Sequence, residues 1–336
     1  MIVAGDIGGT KCNLAAFEEH GTDLHLVARQ RYAARDYPSF EELLMHFRED
    51  LRKQALDCRD IRAAGFGVPG TVVSGRLYSY NLVWAVESTS IATALNLHAR
   101  DVVLLNDLVA TAAGLDKLSS GDFLPLRKGV PDPRGNKAVI AAGTGLGEAV
   151  LYWDGQHYRP APSEGGSADF APRDERETRL FLFLKQNLPR VSCEDIFSGR
   201  GFRKLHEFLD PTVRHPTFGE PATASASEIT HNAIDGSCPV CVEALDWWID
   251  AFGAEAGNLA LRVLAYGGVF LAGGIAVKIL PRLKESSFCH SFANKGPMTE
   301  ILSRIPISVI INEDAPVLGA AYRALAVGGL ENSDSF

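Results

Sequence analysis

The chain has 336 residues, of which 46% are hydrophobic and 22% are charged, and its formal net charge is −8. A chain of this length ordinarily forms more than one domain, and its composition is that of a globular protein rather than a disordered or fibrous one. The negative charge argues against nucleic acid and against an anionic membrane surface as partners, because both require clustered lysine and arginine.

The N-terminus has no basic stretch before an apolar run, which argues against a signal peptide. The longest uncharged apolar stretch, 263–277, carries four glycines and is too short to span a bilayer. We therefore expect a cytoplasmic protein.

The first predicted element is an apolar strand that leads into the glycine turn Gly5-Asp6-Ile7-Gly8-Gly9-Thr10, and a second apolar strand follows. Backbone N–H groups can approach an anion where no side chain intervenes, so the turn is a candidate phosphate site. It lacks the ending of a Walker A loop, and no helix follows it as in a dinucleotide-binding fold. We predict a β-hairpin phosphate loop in which Thr10 adds a hydroxyl and Asp6 holds Mg²⁺ through water.

Helices are predicted between the strands. Ser39 and Glu42 form a capping box before apolar residues that recur at helical spacing over 40–51. An apolar run over 102–105 is typical of a buried strand, and Asn106-Asp107 lies between it and a helix predicted over 108–115. Open α/β sheets bind ligands at the carboxyl ends of their strands, so this pair is a candidate site. The alternative is that it is simply the N-cap of the helix.

The second half of the chain repeats the opening pattern of strand, glycine turn and strand at Gly143-Thr144-Gly145-Leu146-Gly147, which suggests two similar α/β domains. Ser225 and Glu228 form another capping box. A long helix is predicted over 242–265, with candidate interruptions at two glycines, 253 and 257. A third glycine element, Gly273-Gly274, ends an apolar strand and would let an adenosine lie flat against the backbone.

Cys238 and Cys241 form a CxxC pair, and six cysteines are spread along the chain. A structural zinc site needs a second such pair or a group of histidines, and the nine histidines show no spacing typical of metal ligands. We therefore predict no protein-bound transition metal. A redox-active pair stays open, although two small residues that begin an apolar helix are the simpler interpretation.

Seven stretches occur in the order found in bacterial glucokinases, a family of the actin, hexokinase and heat-shock ATPase superfamily, and the chain resembles that family over nearly its whole length. The matching stretches are Gly5-Asp6-Ile7-Gly8-Gly9-Thr10, Leu105-Asn106-Asp107, Gly143-Thr144-Gly145-Leu146-Gly147, Glu164-Gly165-Gly166, Asp169-Phe170-Ala171-Pro172, Cys193-Glu194-Asp195-Ile196-Phe197-Ser198-Gly199 and Gly268-Val269-Phe270-Leu271-Ala272-Gly273-Gly274.

The resemblance implies an α/β protein with the two-domain actin-like ATPase (ribonuclease H-like) fold and a central cleft. The small domain would be discontinuous, 1–110 plus 308–336, and the large domain would span 111–307. The implied reaction is the ATP-dependent phosphorylation of glucose to glucose 6-phosphate, with ATP and Mg²⁺ as cofactors. The resemblance also implies that the protein is a homodimer. Its expected binding partner is a small-molecule sugar, the substrate.

Site residues follow from the resemblance as well. Asp107 matches the general base on the sugar 6-hydroxyl, and Asn106, Glu164 and Glu194 match residues that bind sugar hydroxyls. Further predicted sugar-site positions are Gly70 and Asn81. The first glycine turn and Gly143, Thr144 and Gly145 match the phosphate loops, and Gly273 with Gly274 matches the adenosine motif.

The chain departs from the family at Ser167, where the glucokinase pattern has a histidine that contacts a sugar hydroxyl. A serine is shorter, so we expect weaker affinity or broader hexose use, because a lost direct hydrogen bond relaxes discrimination. The alternatives are a kinase for mannose or an N-acetylhexosamine such as N-acetylglucosamine or N-acetylmannosamine, and a catalytically silent sugar-binding relative. The retained Asp107 and three glycine elements argue against a silent relative.

Overall fold

The computed structural model describes residues 1–79, 82 and 84–328, so the predicted sugar-site residue Asn81 lies outside the described residues. The strands are β1 Ile2–Ile7, β2 Lys11–His20, β3 Asp23–Ala33, β4 Ala63–Val68, β5 Thr71–Val73, β6 Arg76–Tyr78, β7 Val102–Asn106, β8 Phe123–Arg127, β9 Lys137–Ala142, β10 Leu146–Trp153, β11 Tyr158–Ser163, β12 Gly268–Ala272 and β13 Ile307–Ile310. The helices are α1 Phe40–Lys53, α2 Ser88–Leu95, α3 Asp107–Gly114, α4 Glu175–Lys185, α5 Cys193–Phe197, α6 Gly199–Leu209, α7 Ala222–Ile234, α8 Pro239–Val263, α9 Gly274–Lys278, α10 Leu280–Lys284, α11 Phe288–Ala293, α12 Thr299–Arg304 and α13 Ala315–Gly328.

The chain divides into two compact units. The first consists of Met1–Ser119 together with the segment that begins at Asn312, and the second of Ser120–Ile311. The boundaries predicted from the sequence, after 110 and after 307, fall inside α3 and inside β13. Because α3 packs within the first unit and β13 pairs with β12 in the second, the division lies after Ser119 and after Ile311 instead.

Within the described residues, the first unit contains a sheet of order β3-β2-β1-β4-β7, in which β1, β4 and β7 run parallel and β2 and β3 antiparallel. Ser39 is the N-cap of α1, because its Oγ accepts a hydrogen bond of 3.2 Å from the Glu42 N–H, which is one half of the predicted capping box. The apolar residues of α1 are buried in the core of this unit, and α13 packs against α3, β1 and β4.

The second unit contains a sheet of order β11-β10-β9-β12-β13-β8 among the described residues. Strands β9, β12 and β13 are parallel, while β10, β11 and β8 pair antiparallel with their neighbours. Apart from the edge strand β8, this sheet has the order β11-β10-β9-β12-β13. The five strands of the first unit's sheet are arranged in the same way, because in both sheets the strands lie side by side in the order third, second, first, fourth and fifth along the chain. The repeated strand–turn–strand pattern in the sequence reflects this shared topology, and the predicted α/β class is confirmed.

Two local predictions for the second unit are wrong. The long helix α8 runs without a break through Gly253 and Gly257. These glycines instead allow α11 to pack closely, because a Cβ at Gly253 would lie 2.5 Å from the Phe288 carbonyl oxygen. The second capping box is absent, since α7 begins at Ala222 and Ser225 Oγ donates to the Thr217 carbonyl over 3.1 Å.

No helix in the described part of the chain is long and apolar enough to cross a membrane.

Candidate functional site

Three of the predicted site segments lie at one edge of the first unit's sheet. Strands β1, β4 and β7 are parallel and adjacent, with Asp6 beside Gly67 and Gly67 beside Leu105. Their carboxyl ends therefore meet at the same edge, which is where open α/β sheets bind ligands. The first glycine turn follows β1, Gly70 follows β4, and Asn106-Asp107 ends β7 and begins α3.

The first glycine turn divides into buried and exposed parts. Gly5 and Ile7 are buried in the sheet, where a Cβ at Gly5 would lie 2.5 Å from Leu14 Cδ2, so packing explains both residues. Gly9 and Thr10 are exposed at the tip, and the Gly8 N–H donates to the Lys11 carbonyl over 2.9 Å. The part of the motif that can reach an anion is therefore Gly8 to Thr10.

Asp6 lies at the end of β1 opposite Asn13 of β2. Burial raises the pKa of Asp6 above its ordinary value, and a hydrogen bond with Asn13 opposes that shift. A buried carboxylate gains most from a cation, directly or through water, because a cation offsets the cost of keeping the charge out of solvent. This environment fits the predicted role of Asp6 beside hydrated Mg²⁺.

Asn106 is the N-cap of α3, as the alternative interpretation predicted. Its Oδ1 accepts hydrogen bonds from the N–H groups of Leu108 (2.9 Å) and Val109 (3.3 Å), and its Nδ2 donates to the Gly70 carbonyl over 3.1 Å. These bonds join the end of β7 to the loop after β4. The amide has a second Nδ2–H for another acceptor.

Asp107 is the first residue of α3 and is half-buried. Its Oδ1 accepts a hydrogen bond of 2.8 Å from the Leu108 N–H, which fixes the rotamer of the carboxylate. Gly67 on β4 makes room for this turn, since a Cβ there would come within 3.6 Å of the Asp107 Cα and 3.0 Å of the Ala110 Cβ. The carboxylate thus has a defined position at the edge of the sheet.

The other two glycine elements lie at one edge of the second unit's sheet, because β9 and β12 are parallel neighbours with Ala141 beside Ala272. The turn 143–145 is closed by a hydrogen bond of 2.9 Å from the Gly143 N–H to the Gly145 carbonyl. Gly273 has a φ of +86°, and a Cβ there would lie 2.7 Å from the Ala142 carbonyl oxygen. A Cβ at Gly274, in contrast, would meet nothing within 4 Å.

Glu194 adjoins the turn 143–145 rather than standing alone. Its Oε2 accepts a hydrogen bond of 3.1 Å from the Leu146 N–H, and its Oε1 pairs with Arg200 at 3.0 Å. Gly145 leaves the space for this carboxylate, since a Cβ there would lie 2.5 Å from Glu194 Oε2. The Gly199 N–H also donates to the Gly143 carbonyl over 2.8 Å, so α5 and α6 both brace the turn.

The segment Glu164-Gly165-Gly166-Ser167 forms a short 3₁₀ turn after β11, in which Glu164 and Ser167 are exposed. Both glycines pack on β10, because a Cβ at Gly165 would lie 1.9 Å from Glu148 Oε2 and one at Gly166 would lie 2.0 Å from the Leu146 carbonyl oxygen. The glycine pair is therefore explained by packing within the protein, and it does not by itself indicate a ligand.

Sequence reasoning missed Glu148, which lies directly beneath this turn. It is 1% exposed, and neither carboxylate oxygen has a hydrogen-bond partner among the described residues. Burial and the nearby Glu255 raise the pKa of Glu148 to about 7, against the opposing effect of Arg262. The signal was available, since Glu148 is the one charged residue of the otherwise uncharged, apolar-rich strand β10, in which residues 148–151 are all buried.

The comparisons with known proteins agree with one another. The glucokinase family model matches residues 3–327. A glucokinase of a Nostoc species is 36% identical over 96% of this chain and 98% of its own length, and one of Colwellia psychrerythraea is 32% identical over 95% of this chain and 94% of its own. Among solved structures, a glucokinase from an Antarctic psychrotroph superposes with a TM-score of 0.81 at 28% identity, covering 97% of this chain and 98% of its own.

Proposed function

This chain belongs to the glucokinase family, and we propose that it transfers the γ-phosphoryl group of ATP to the 6-hydroxyl of glucose. It is a hexose kinase of that family by its whole-length match. The observation that carries the assignment of chemistry is the placement of Asp107 at the sheet edge that also holds the first glycine turn. A base and a phosphate cradle at one edge are what a phosphoryl transfer to a hydroxyl requires.

In the proposed mechanism Asp107 accepts the proton of the 6-hydroxyl as that oxygen attacks the γ-phosphorus. The hydrogen bond from the Leu108 N–H holds the carboxylate in place at the sheet edge. General base catalysis of this kind contributes about 10²- to 10⁴-fold to the rate. Asn106 holds the β7 end and the Gly70 loop in place, and its second Nδ2–H can donate to a sugar hydroxyl.

The turns Gly8–Thr10 and Gly143–Gly145 would hold the phosphates through N–H groups other than those of Gly8 and Gly143, which close the turns. The open backbone at Gly274 would take the adenosine. Mg²⁺ would neutralise charge on the phosphates, as in other phosphoryl transfers. Asp6, whose pKa is raised by burial, would orient a water of that ion. Gly5 and Ile7 support the turn from the core, and Gly273 sets the start of α9.

Glu164, Ser167 and Glu194 would supply the remaining sugar contacts, together with Gly70 and Asn81. Carboxylates suit this task because each can accept two hydrogen bonds from neighbouring hydroxyls. Glu164 is exposed, whereas both oxygens of Glu194 already have partners in Leu146 and Arg200. We infer that Arg200 moves aside, or shares the carboxylate, when sugar binds.

Further parts of the proposal rest on the family resemblance. The two units would form the two domains of an actin-like ATPase fold and close over the substrates, because water in the cleft would otherwise compete as phosphoryl acceptor. The protein would be a cytoplasmic homodimer. Sedimentation equilibrium gives the subunit number, and small-angle scattering with and without glucose measures the closure.

The test is an assay of ADP release by the purified protein with Mg-ATP and a panel of glucose, mannose and N-acetylhexosamines. We expect glucose to have the highest kcat/KM. Asp107→Asn should lower kcat by at least about 10²-fold, since the amide keeps the shape but cannot accept the proton. Asp23→Asn, at an exposed position of β3 in the same unit, is the matched control and should leave kcat unchanged.

Two results would count against the proposal. If no hexose is turned over, the kinase assignment fails. If Asp107→Asn keeps a near-normal kcat while glucose is phosphorylated, the activity stands but another residue is the base.

A further inference from the structure

Four potential metal ligands converge in the second unit, away from the glycine turns. His206 lies near the end of α6, His215 lies in the segment between α6 and α7, and Cys238 and Cys241 lie at the start of α8. One ligand atom from each of the four lies within 4.8 Å of the other three. His215 Nε2 is 3.3 Å from Cys241 Sγ and 3.8 Å from Cys238 Sγ.

The sequence shows no histidines at metal-ligand spacing. The CxxC pair begins an apolar helix, as the simpler interpretation expects, because Cys238 is the N-cap of α8 and Cys241 lies in its first turn. Folding brings both histidines to it from the preceding helix and loop. Two thiols and two imidazoles are the ligand set of a Cys₂His₂ zinc site.

His206 is a second and independent indication of a ligand. Its side chain is 0% exposed, and neither ring nitrogen has a hydrogen-bond partner among the described residues. Its ring packs edge-to-face against His215, with centroids 5.2 Å apart, and against Phe218 at 5.0 Å. A buried imidazole with both nitrogens unsatisfied is unfavourable, and nearly all buried polar groups in folded proteins have a partner.

We propose that His206, His215, Cys238 and Cys241 bind one structural Zn²⁺ ion. Tetrahedral zinc with Zn–S near 2.3 Å and Zn–N near 2.0 Å places sulfur and nitrogen ligands about 3.6 Å apart. The two distances from His215 Nε2, 3.3 and 3.8 Å, bracket that value. Because four protein ligands close the coordination sphere, the ion would have no position for a substrate or an activated water.

The surroundings of the cluster suit a metal. Asn232 Nδ2 lies 3.2 Å from His215 Nδ1, on the side of the ring opposite to the sulfurs. When Nε2 of His215 binds the metal, Nδ1 of the same ring carries the proton. A 180° flip of the Asn232 side-chain amide then lets its oxygen accept a hydrogen bond from this N–H, as outer-shell partners of zinc ligands do. Cys238 is the N-cap of α8, and its Sγ accepts a hydrogen bond from the Cys241 N–H over 3.4 Å.

The site would add a cross-link to the segment between α6 and α7. Residues 210–221 form no helix or strand, and Thr217 is held to α7 by Glu228 and Ser225. A zinc ion would join this segment to the end of α6 and to the start of α8 at a single point. Helix α6 begins at Gly199, whose N–H donates to the carbonyl of Gly143 in the turn 143–145. The ion would hold the same helix at His206, about 10 Å further along the helix axis.

Metal content of the intact, purified protein tests the proposal directly. We expect about one zinc per chain by plasma mass spectrometry, as for other four-ligand structural sites. Cys238→Ser and His215→Asn, both at half-buried positions, should lower the zinc content at least about tenfold. Matched controls are Cys289→Ser, at a half-buried cysteine outside the cluster, and His231→Asn, at an exposed histidine of α7; both should keep the zinc.

A cobalt experiment covers the case in which the variants fail to fold. Wild-type protein stripped by a chelator under reducing conditions should bind one Co²⁺ and show the visible bands of tetrahedral cobalt with thiolate charge transfer. It should also unfold at lower urea concentration without metal than with it. The proposal is overturned if the folded, reduced wild-type protein contains no zinc and takes up neither Zn²⁺ nor Co²⁺. A wild-type mass lower by two hydrogen atoms, with Cys238 and Cys241 disulfide-linked, would overturn it in favour of a redox pair.

Discussion

Replacement of Glu148 by glutamine should stabilise the second unit at alkaline pH and have little effect at acid pH. The carboxyl group is buried under Gly165 without a hydrogen-bond partner among the described residues, and Glu255 adds a like charge nearby. Both effects favour the protonated form, and they raise the pKa of Glu148 to about 7 from its ordinary value of 4.5. Glutamine is neutral at every pH and has nearly the same shape.

The sign of the effect follows from proton linkage. A carboxyl group with a raised pKa in the folded state stabilises the fold fully below its unfolded pKa, and this contribution is lost as pH rises through the folded pKa. Each pKa unit corresponds to 1.36 kcal/mol, so the shift amounts to about 3 kcal/mol between pH 4 and pH 8. Glutamine does not titrate, so the Glu148→Gln variant does not lose this stabilisation. Its free energy of unfolding relative to wild type should therefore rise by about 3 kcal/mol between pH 4 and pH 8.

Urea unfolding at pH 5 and pH 8, followed by tryptophan fluorescence, measures this difference. Three of the four tryptophans, Trp153, Trp247 and Trp248, lie in the second unit, so the signal reports mainly on that unit. Glu285→Gln, at an exposed glutamate of the same unit, is the matched control and should give the same change at both pH values. An equal change for Glu148→Gln at pH 5 and pH 8 would refute the reasoning, because it would mean that Glu148 does not titrate between them.

The other predictions concern the substrate sites. Gly274→Ala should raise KM for ATP about tenfold, equivalent to about 1.4 kcal/mol, and leave Tm and KM for glucose unchanged, because its Cβ meets no protein atom within 4 Å. Gly273→Ala should instead lower Tm by at least about 2–4 °C, since φ is +86° and the Cβ would lie 2.7 Å from the Ala142 carbonyl oxygen. Ser167→His should lower KM for glucose and sharpen its preference over mannose; unchanged steady-state kinetics would show that position 167 does not contact the sugar. Asp107→Asn and the zinc content complete the set, with the assays given above.

The parts of the fold that the sequence predicts are those encoded by neighbouring residues. The strand–turn–strand pairs, the N-cap at Ser39 and the strand before Asn106 all depend on contacts within a few positions, and the structure has each of them. The second capping box failed because Thr217, in the preceding loop, takes both Ser225 and Glu228 as partners. A local motif is reliable where no more distant group competes for the same side chains.

The features that sequence reasoning missed depend on contacts between distant segments. His206 and Cys241 meet through the packing of α6 against α8, and no spacing rule along the chain relates them. Gly253 and Gly257 were candidate interruptions of a helix, but in the structure they leave space for α11, a helix that comes later in the chain. In each case the cause is a packing partner that the local pattern does not reveal.

Several glycines of the family motifs are explained by packing within the protein. Gly5 and Gly273 each leave room for a neighbouring strand, and Gly165 and Gly166 leave room for Glu148 and Leu146 on β10. Gly145 makes space for the carboxylate of Glu194, which in turn holds Leu146 N–H and Arg200. Much of the shared sequence pattern therefore specifies how the turns are supported by the sheets. The groups that we propose to meet substrate are fewer, and they include the exposed backbone at Gly9, Thr10 and Gly274 and the side chains of Asn106, Asp107, Glu164, Ser167 and Glu194. Because these few groups have little redundancy, substitutions among them should change catalysis or specificity more than stability.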